Sequence, residues 1–229
     1  KQITNQIKRL GCSVNWDKYR FTLDEKFSKA VTKAFVDLFN KDKIYRGYRL
    51  VNWDPALQTS LSDLEVVNKE KNVKLTSIKY KIDGTDQFIT VATTRPETLL
   101  GDMAIAVHPD DKRYKEYIGK DVELPLCNRK IPIIADDYVD MEFGSGAVKI
   151  TPGHDFNDYE IGKRHGLSMD SKNNIIQGDE SSFEPISVLD KHAKICGCAP
   201  KNFHELNRFE ARKKILANLE SEDLIAGIE

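Results

Sequence analysis

The sequence lacks a long apolar run, a secretory leader and a dense set of cysteines. No stretch approaches the roughly 18 apolar residues of a membrane-spanning helix, so we expect no membrane association. Residues 1–5 contain no apolar signal segment and no initiator Met, and we interpret the chain as an excised fragment. Four cysteines among 229 residues are too few for a disulfide scaffold, which favours a reducing cytoplasm.

A surplus of basic charge is also missing. The chain carries 35 Lys and Arg against 36 Asp and Glu, a formal net charge of -1. Proteins that bind nucleic acid mainly through phosphates usually carry a basic excess, so this balance argues weakly against a tight, stand-alone RNA binder. It leaves room for a local basic groove. A composition that is 40% hydrophobic and 31% charged indicates a globular chain that buries a core.

Two kinds of periodicity divide the chain. Residues 1–47 read as helical, and Phe27, Val31 and Phe35 recur at the spacing of a core-facing helix with Thr22 as its N-cap. From about residue 75, short segments rich in β-branched residues alternate with turn residues. These predicted strands are 76–82, 87–93, 104–107, 131–134 and 147–151. We therefore predict an α+β fold with a compact β-barrel-like core, peripheral helices and a helical N-terminal arm.

The same pattern predicts three parts. Residues 1–75 form the helical arm and a connector, residues 76–202 form the β-barrel core, and residues 203–229 form a C-terminal helix that packs back on the connector. Within the core, residues 155–165 predict a short helix that stops at Gly166.

The segment 91–102 places polar groups where a strand ends. Pro96 fixes its own φ and biases Arg95 toward an extended conformation, so Glu97 and Thr98 fall in the first turn of a possible helix. Hydroxyls and free amides at such a helix start can hold a phosphate, a ribose or a carbonyl oxygen. A capped strand-to-helix turn with a surface arginine explains the same residues about as well.

The segment 142–159 runs from a glycine-rich turn through a strand into a helix. Lys149 and Thr151 lie two apart on one strand face, while Asp155 and Asp158 lie three apart on one helix face. The two faces could converge on a small polar pocket. The alternative makes Asp155 an N-cap and Asp158 a solvated first-turn acid, and spacing alone favours this alternative.

Together with residues 50–55, 62–65 and 208–214, these two segments resemble the connective-polypeptide editing domain of class I aminoacyl-tRNA synthetases, most closely its valine-specific version. They span nearly the whole chain in the family's order. The family's ATP-site signatures, His-Ile-Gly-His and Lys-Met-Ser-Lys-Ser, are absent. The resemblance therefore implies that ATP and Mg serve only a catalytic body outside this chain, which itself needs no cofactor.

Two smaller departures from the family concern the pocket and a metal site. Residues 54–57 read Asp-Pro-Ala-Leu where some relatives carry a zinc-binding Cys-x-x-Cys pair. Gly153 stands where alanine is common, a change that we expect to loosen the pocket floor.

The resemblance implies post-transfer editing, the hydrolysis of the aminoacyl ester in Thr-tRNA(Val). A hydrophobic pocket that selects valine cannot strongly reject threonine, and valyl-tRNA synthetase is the standard example, with a discrimination of about 10². The expected partner is the 3′ end of tRNA(Val) carrying a misattached threonine, met by a cytoplasmic monomer. A non-catalytic module that positions the tRNA acceptor end is the alternative, because the basic excess and the catalytic body are both missing.

The resemblance also assigns roles to residues. Asp158 would hold the α-ammonium of the substrate, and Arg95 and Thr98 would orient the terminal adenosine or the ester. The predicted catalytic set is Asp158, Lys149, Thr151 and Asp155, and the predicted substrate-binding set is Thr93, Arg95, Thr98 and Phe143. No Gly-x-Ser-x-Gly nucleophile signature is present, so we expect direct attack by water. His154 is a possible general base, although its Pro-Gly-His context is more typical of a structural turn.

Two further clusters have weaker interpretations. The ligand types of His192, Cys196, Cys198 and His204 suit zinc, but a Cys-x-Cys pair is closer than the usual spacing, and we predict no metal site. The basic residues of the C-terminal helix could touch tRNA phosphates, although a solvated charged face is the favoured interpretation. They are Arg208, Arg212, Lys213 and Lys214.

Overall fold

The computed structural model describes residues 2–229, whose contacts form two compact units that divide after Gly47. The first unit contains helix α1 (Gln2–Arg9), a 3-10 turn at Trp16–Lys18 and helix α2 (Glu25–Phe39). Among residues 2–47 no side chain is buried. This unit is therefore helical, as its periodicity predicts, but it has no core of its own.

Helix α2 differs from its prediction in two ways. Its N-cap is Asp24, whose Oδ1 accepts the Phe27 N–H at 2.9 Å, and not Thr22. Its apolar stripe is exposed, with Val31 and Phe35 more than half accessible, so the expectation of a core-facing helix is wrong within this chain. Periodicity reveals an apolar stripe but not whether anything covers it.

The second unit, residues 48–229, contains eleven strands and two helices. The helices are α3 (Phe156–Arg164) and α4 (Arg208–Ser221). The strands are β1 (Asn52–Asp54), β2 (Thr59–Leu61), β3 (Thr76–Ile82), β4 (Phe88–Thr93), β5 (Ala104–Val107), β6 (Asp121–Glu123), β7 (Lys130–Ala135), β8 (Ala147–Ile150), β9 (Ser168–Met169), β10 (Ile175–Ile176) and β11 (Ile225–Ile228). Short 3-10 helices at Asp63–Glu65, Pro96–Gly101, Lys115–Tyr117, Glu180–Ser182 and Lys201–Phe203 connect them.

Seven strands form one sheet that curls toward closure. Its order is β11-β3-β6-β7-β5-β8, and β4 pairs along β3. The β5–β7 pair is parallel, and the other pairs are antiparallel. Strand β4 also contacts β8, the last strand of this path, which draws the sheet toward closure. The structure thus confirms the predicted α+β fold with a barrel-like sheet, and two separate hairpins, β1–β2 and β9–β10, lie outside it.

Side-chain alternation explains the core inside this sheet. Ile78, Tyr80 and Ile82 on β3 are buried while the residues between them are partly exposed, as expected for a strand with one core face. All four residues of β5 are buried, because both of its faces are covered. Burying each isoleucine or valine side chain among them stabilises the fold by about 1.5–3 kcal/mol.

The C-terminal segment belongs to the same unit. Helix α4 packs on the 3-10 helix Pro96–Gly101, and β11 pairs with β3. Contacts divide the described chain only after Gly47, so the predicted boundaries near residues 75 and 202 stay predictions. Among the described residues, no helix is both long enough and apolar enough to cross a bilayer.

Candidate active site

Strand pairing brings the two sequence motifs together. Strand β5 follows directly after the first motif and runs antiparallel to β8, so Ala104 lies opposite Ile150. The Met103 N–H also donates to the Ile150 carbonyl at 2.8 Å. Because β4 contacts β8 as well, the turn after β4 and the turn after β8 face each other. A motif from residues 91–102 and one from residues 142–159 therefore form one site.

Both motifs line a single cavity of about 390 Å³. Its wall consists of Leu75, Ala92, Thr93, Thr94, Arg95, Thr98, Tyr138, Phe143, Val148, Lys149, Thr151, His154, Asp155, Asn157 and Asp158. All eight predicted site residues are among them, although their roles stay predictions. The volume falls within the range of small-molecule sites.

A buried ionic network forms the floor of this cavity. Asp102 is fully buried, and its Oδ1 accepts from Lys149 Nζ at 2.7 Å and from Thr151 Oγ1 at 2.5 Å. Its Oδ2 accepts from the Tyr80 hydroxyl at 2.7 Å. Burial, followed by the neighbouring Asp102 charge, raises the pKa of Tyr80, so this hydroxyl keeps its proton. The side chains of Asp102, Tyr80, Lys149 and Thr151 thus form a hydrogen-bonded network that is buried from water.

The turn after β4 is tied down by its own hydroxyls. Thr93 Oγ1 accepts the Arg95 N–H at 3.1 Å, and the Thr98 hydroxyl donates to the Arg95 carbonyl at 3.0 Å. Pro96 starts the 3-10 helix that the sequence predicts as a helical turn. The Arg95 side chain is half exposed and donates through Nη1 to the His154 carbonyl at 2.8 Å. Arg95 therefore bridges the two motifs at the rim.

The two aspartates of the second motif have different environments. Asp155 is exposed and is the N-cap of α3, since its Oδ1 accepts the N–H groups of Asn157 and Asp158. Asp158 is partly buried, and its Oδ2 accepts the Thr151 N–H at 2.8 Å. Burial raises the pKa of Asp158 to about 6, against the opposing effects of the Thr151 amide and Lys149. The N-cap alternative is thus confirmed for Asp155, whereas Asp158 is not a solvated acid.

His154 serves the turn between β8 and α3. Its Nε2 accepts the Val188 N–H at 3.0 Å, so this ring nitrogen is engaged in holding the turn. Burial lowers the pKa of His154 to about 4, and the nearby Arg95 and Lys149 charges add to this effect. A structural turn histidine is the interpretation that fits this geometry.

The predicted loosening of the pocket at Gly153 stays a prediction, but the structure shows why this position is small. A Cβ at this position would lie 2.1 Å from the Ile186 carbonyl oxygen, which a real Cβ never approaches so closely. The glycine instead lets two backbone segments come together behind the site.

A second ion pair supports the first motif from behind. Glu97 is buried and accepts from Arg212 of α4 through two bonds of 2.7 and 2.8 Å. This bidentate geometry is the strong form of a carboxylate–guanidinium pair. The favoured interpretation of α4 as a purely solvated basic face is therefore wrong for Arg212, which anchors the 3-10 helix that carries Thr98.

A larger cleft of about 670 Å³ adjoins the cavity and shares Arg95, His154 and Asp155 with it. Exposed aromatic side chains, those of Trp53 and Phe156, lie on its wall. The small cavity therefore opens beside a wider, partly aromatic surface.

The two histidines of the candidate zinc set have other hydrogen-bond partners. His204 Nε2 lies 2.7 Å from the Ala199 carbonyl, and His192 Nδ1 lies 3.3 Å from Gln58 Nε2. In the other departure from the family, Asp54 Oδ1 accepts the N–H groups of Ala56 and Leu57, which closes the β1–β2 turn. A hydrogen-bonded turn stands at this point of the hairpin.

Sequence reasoning missed two members of the floor, Asp102 and Tyr80. Asp102 lies at the end of the first motif but carries no spacing signal of its own. Tyr80 sits 22 residues upstream on β3, in a predicted strand that belongs to neither motif. A polar residue directly after a buried run, as Asp102 is after Leu99–Gly101, is the one signal that could have marked the floor.

This site lies in a chain of the class I tRNA synthetase family. Residues 1–214 match the family model described as tRNA synthetases class I (I, L, M and V), so the chain belongs to that family. It is 53% identical over 227 residues to the valine–tRNA ligase of Legionella pneumophila (strain Lens), which covers 99% of this chain and 23% of that protein. The valine–tRNA ligase of Laribacter hongkongensis (strain HLHK9) is 50% identical over 225 residues, 97% of this chain and 24% of that protein.

The chain thus spans about a quarter of the length of the curated relatives that it matches. Among solved structures, one described as GlLeuRS-CP1 superposes with a TM-score of 0.49 at 12% identity. That match covers 67% of this chain and 96% of the other.

Proposed function

We propose that this chain is an editing domain that hydrolyses the aminoacyl ester of Thr-tRNA(Val). The observation that carries the proposal is the single cavity of about 390 Å³ lined by both motifs. Its relatives named valine–tRNA ligase must separate valine from threonine, which differ by a methyl group against a hydroxyl. A second, polar site that accepts threonine and excludes valine supplies the discrimination that a hydrophobic pocket lacks.

Asp158 is suited to hold the substrate's α-ammonium. One carboxylate oxygen is fixed by the Thr151 N–H at 2.8 Å, which orients the group on the cavity wall. The pKa of about 6 leaves the carboxylate ionised at neutral pH, and its partial burial strengthens a charge-assisted hydrogen bond to an ammonium group. We assign ammonium binding to Asp158.

Arg95 and Phe143 are suited to the adenosine side of the substrate. Both are exposed side chains at the rim, one cationic and one aromatic. A guanidinium can bind a ribose or ester oxygen, and an aromatic ring covers apolar surface. The terminal adenosine would then lie toward the larger cleft that shares Arg95 with the cavity.

The reaction needs water as its only co-reactant. Water adds to the ester carbonyl carbon, the bond from that carbon to the ribose oxygen breaks, and the ribose oxygen takes up a proton. His154 has its Nε2 engaged, so we assign the rate mainly to the positioning of water and ester between Asp155, Asp158 and the threonine hydroxyls. Lys149 and Thr151 contribute by fixing this floor. We expect the chain to work as a cytoplasmic monomer on the 3′ end of tRNA(Val).

The proposal is tested by the release of threonine from Thr-tRNA(Val) and from threonyl-adenosine. We expect the chain to accelerate both and to leave Val-tRNA(Val) intact. Asp158→Ala should lower kcat/KM about 10²-fold, because a charge-assisted bond to the ammonium is lost. Asp86→Ala, in the exposed turn between β3 and β4, is the matched control and should not change the rate.

The threonyl-adenosine arm separates hydrolysis from tRNA capture. Failure on Thr-tRNA(Val) with hydrolysis of threonyl-adenosine would assign capture to another part of the synthetase. Binding of tRNA(Val) without hydrolysis of either ester would reject the proposal in favour of a module that positions the acceptor end. Full activity of Asp158→Ala would overturn the assignment of Asp158.

A further inference from the structure

A chain of alternating charges runs from helix α4 through the first motif to the rim of the cavity. Arg212 on α4 donates through Nε and Nη2 to the two carboxylate oxygens of Glu97, at 2.7 and 2.8 Å. Glu97 Oε1 also lies 3.8 Å from Arg95 Nε. Arg95 Nη1 in turn donates to the His154 carbonyl at 2.8 Å. One carboxylate therefore stands between two guanidinium groups.

Glu97 holds the two arginines unequally. Its contact with Arg212 is a bidentate hydrogen-bonded pair, whereas its distance to Arg95 is that of an ion pair and too long for a hydrogen bond. Within residues 2–229, the bond to His154 is the one hydrogen bond that the Arg95 side chain makes. A guanidinium has five N–H donors, so most of those on Arg95 remain for a ligand. The Arg95 side chain is 46% exposed and lines the cavity.

Burial determines what Glu97 requires. Glu97 is 2% exposed, and a buried carboxylate is costly unless a cation and donors pair with it. Arg212 meets this requirement from α4, which the buried Ala211 and Ile215 hold against the domain. Without Arg212, Glu97 would draw in Arg95, whose Nε is already 3.8 Å away. The Arg95 guanidinium would then leave the cavity and the His154 carbonyl.

From this geometry we infer that Arg212 is a positioning residue of the site, which keeps the Arg95 guanidinium free for the substrate by occupying Glu97. Arg212 lies on the wall of neither the cavity nor the larger cleft, so it acts through Glu97 and Arg95. Because the proposed function assigns Arg95 to the adenosine side of the substrate, this inference rests on that function and deepens it. Helix α4, outside the cavity, thereby takes part in substrate binding.

A purely structural role for the Arg212–Glu97 pair would produce a different response to substitution. If Arg212 only anchors the 3-10 helix, the loss caused by removing it adds to the loss caused by removing Arg95. If Arg212 acts by occupying Glu97, its removal has no further effect once Arg95 is absent, and removing the Glu97 charge releases Arg95 again. Double variants therefore separate the two roles.

Steady-state hydrolysis of threonyl-adenosine by the chain tests the inference. Arg212→Met keeps an unbranched apolar stem but removes the charge, and we expect KM to rise about 10-fold with kcat within about two-fold of the parent value. Arg95→Ala should raise KM by a similar factor, and Arg95→Ala combined with Arg212→Met should raise it no further. Increases that multiply to about 100-fold, an unchanged KM in Arg212→Met, or a fall in kcat in its place would overturn the inference.

Neutralising Glu97 gives the reverse test. In Glu97→Gln combined with Arg212→Met the buried charge is gone, so Arg95 returns to the cavity and KM should fall to within about two-fold of the parent value. A KM that stays raised in this double variant would refute the role of Arg212. Lys213→Met, the next position along α4 and exposed, removes the same charge from the helix and is the matched control, with an unchanged KM.

A binding series and the hydrolysis assay fail separately. The affinity of the same variants for non-hydrolysable 3′-threonylamino-3′-deoxyadenosine is measured, so that the pattern can be read without turnover. The expected pattern of affinities in a chain that does not hydrolyse the ester would reject the proposed function and keep the inference. Hydrolysis by the parent chain with losses that multiply would do the reverse, and a parent chain that does not bind the analogue would reject both.

Discussion

The floor and the rim of the cavity are built in opposite ways. On the floor, Asp102 is fully buried and Thr151 is 1% exposed, and each side chain has its partners within the protein. At the rim, Phe143 is 76% exposed and Asp155 is exposed. Floor residues therefore contribute to the stability of the fold, so changing them alters both stability and substrate recognition. Rim residues can be removed with little cost to the fold, and their variants report on substrate binding alone.

The largest expected effect comes from breaking the ionic pair of the floor. Lys149→Ala leaves the buried Asp102 carboxylate with neutral donors only, which should lower the free energy of unfolding by about 3–5 kcal/mol. Urea denaturation followed by circular dichroism measures the change. Phe143→Ala at the rim should change the same quantity by less than about 0.5 kcal/mol.

A double variant sharpens this contrast. Lys149→Met combined with Asp102→Asn removes both charges, so the loss should be smaller than the sum of the two single losses. Additive losses would show that the two side chains do not act as a pair, and a Lys149→Ala chain as stable as the parent would remove the distinction between floor and rim.

Asp158 lies between the two regions, and its effect on stability depends on pH. Its pKa is raised to about 6, so the folded protein binds more protons than the unfolded chain between about pH 4 and pH 6. By linkage, stability falls as pH rises through that window. Asp158→Asn removes this slope, and at pH 7 it should be more stable than the parent by about 1–2 kcal/mol, since the amide oxygen still accepts the Thr151 N–H.

Thermal unfolding of both chains at pH 4 and pH 7 measures this difference. We expect the difference to be near zero at pH 4 and to grow toward pH 7, while the variant loses deacylation. A stability that is lower than the parent's at pH 7 would mean that the ionised carboxylate stabilises the fold, and would contradict the view that it is kept at a cost to stability for binding.

Local sequence patterns predicted where most strands of the sheet lie, but not which distant segments pair with them. The segments 76–82 and 104–107 are read correctly because β-branched residues and turn residues bound them on both sides. Strand β11 was missed because four residues near the end of the chain become a strand only by pairing with β3, about 150 positions earlier. The exposed apolar stripe of α2 shows the same limit, since a periodic pattern identifies an apolar face but not what packs against it.

The candidate site shows the same contrast between local patterns and contacts between distant residues. The wall residues could be found because both motifs are contiguous in sequence and resemble a family. Asp102 and Tyr80 could not be assigned, because an ionic network is defined by which side chains meet, and Lys149 meets Asp102 across 47 positions. The partners of these buried side chains are therefore visible only in three dimensions.

The smallest expected effect concerns Phe143, an exposed aromatic side chain at the rim. Phe143→Ala should raise KM for threonyl-adenosine about two- to five-fold, because part of one aromatic face no longer covers the substrate, and should leave kcat unchanged. Steady-state kinetics measure both constants, with Phe88→Ala, an exposed phenylalanine at the start of β4 outside the cavity wall, as control. If kcat falls in step with kcat/KM, then Phe143 acts in the transition state, and the rim would share the positioning role that we propose for the floor.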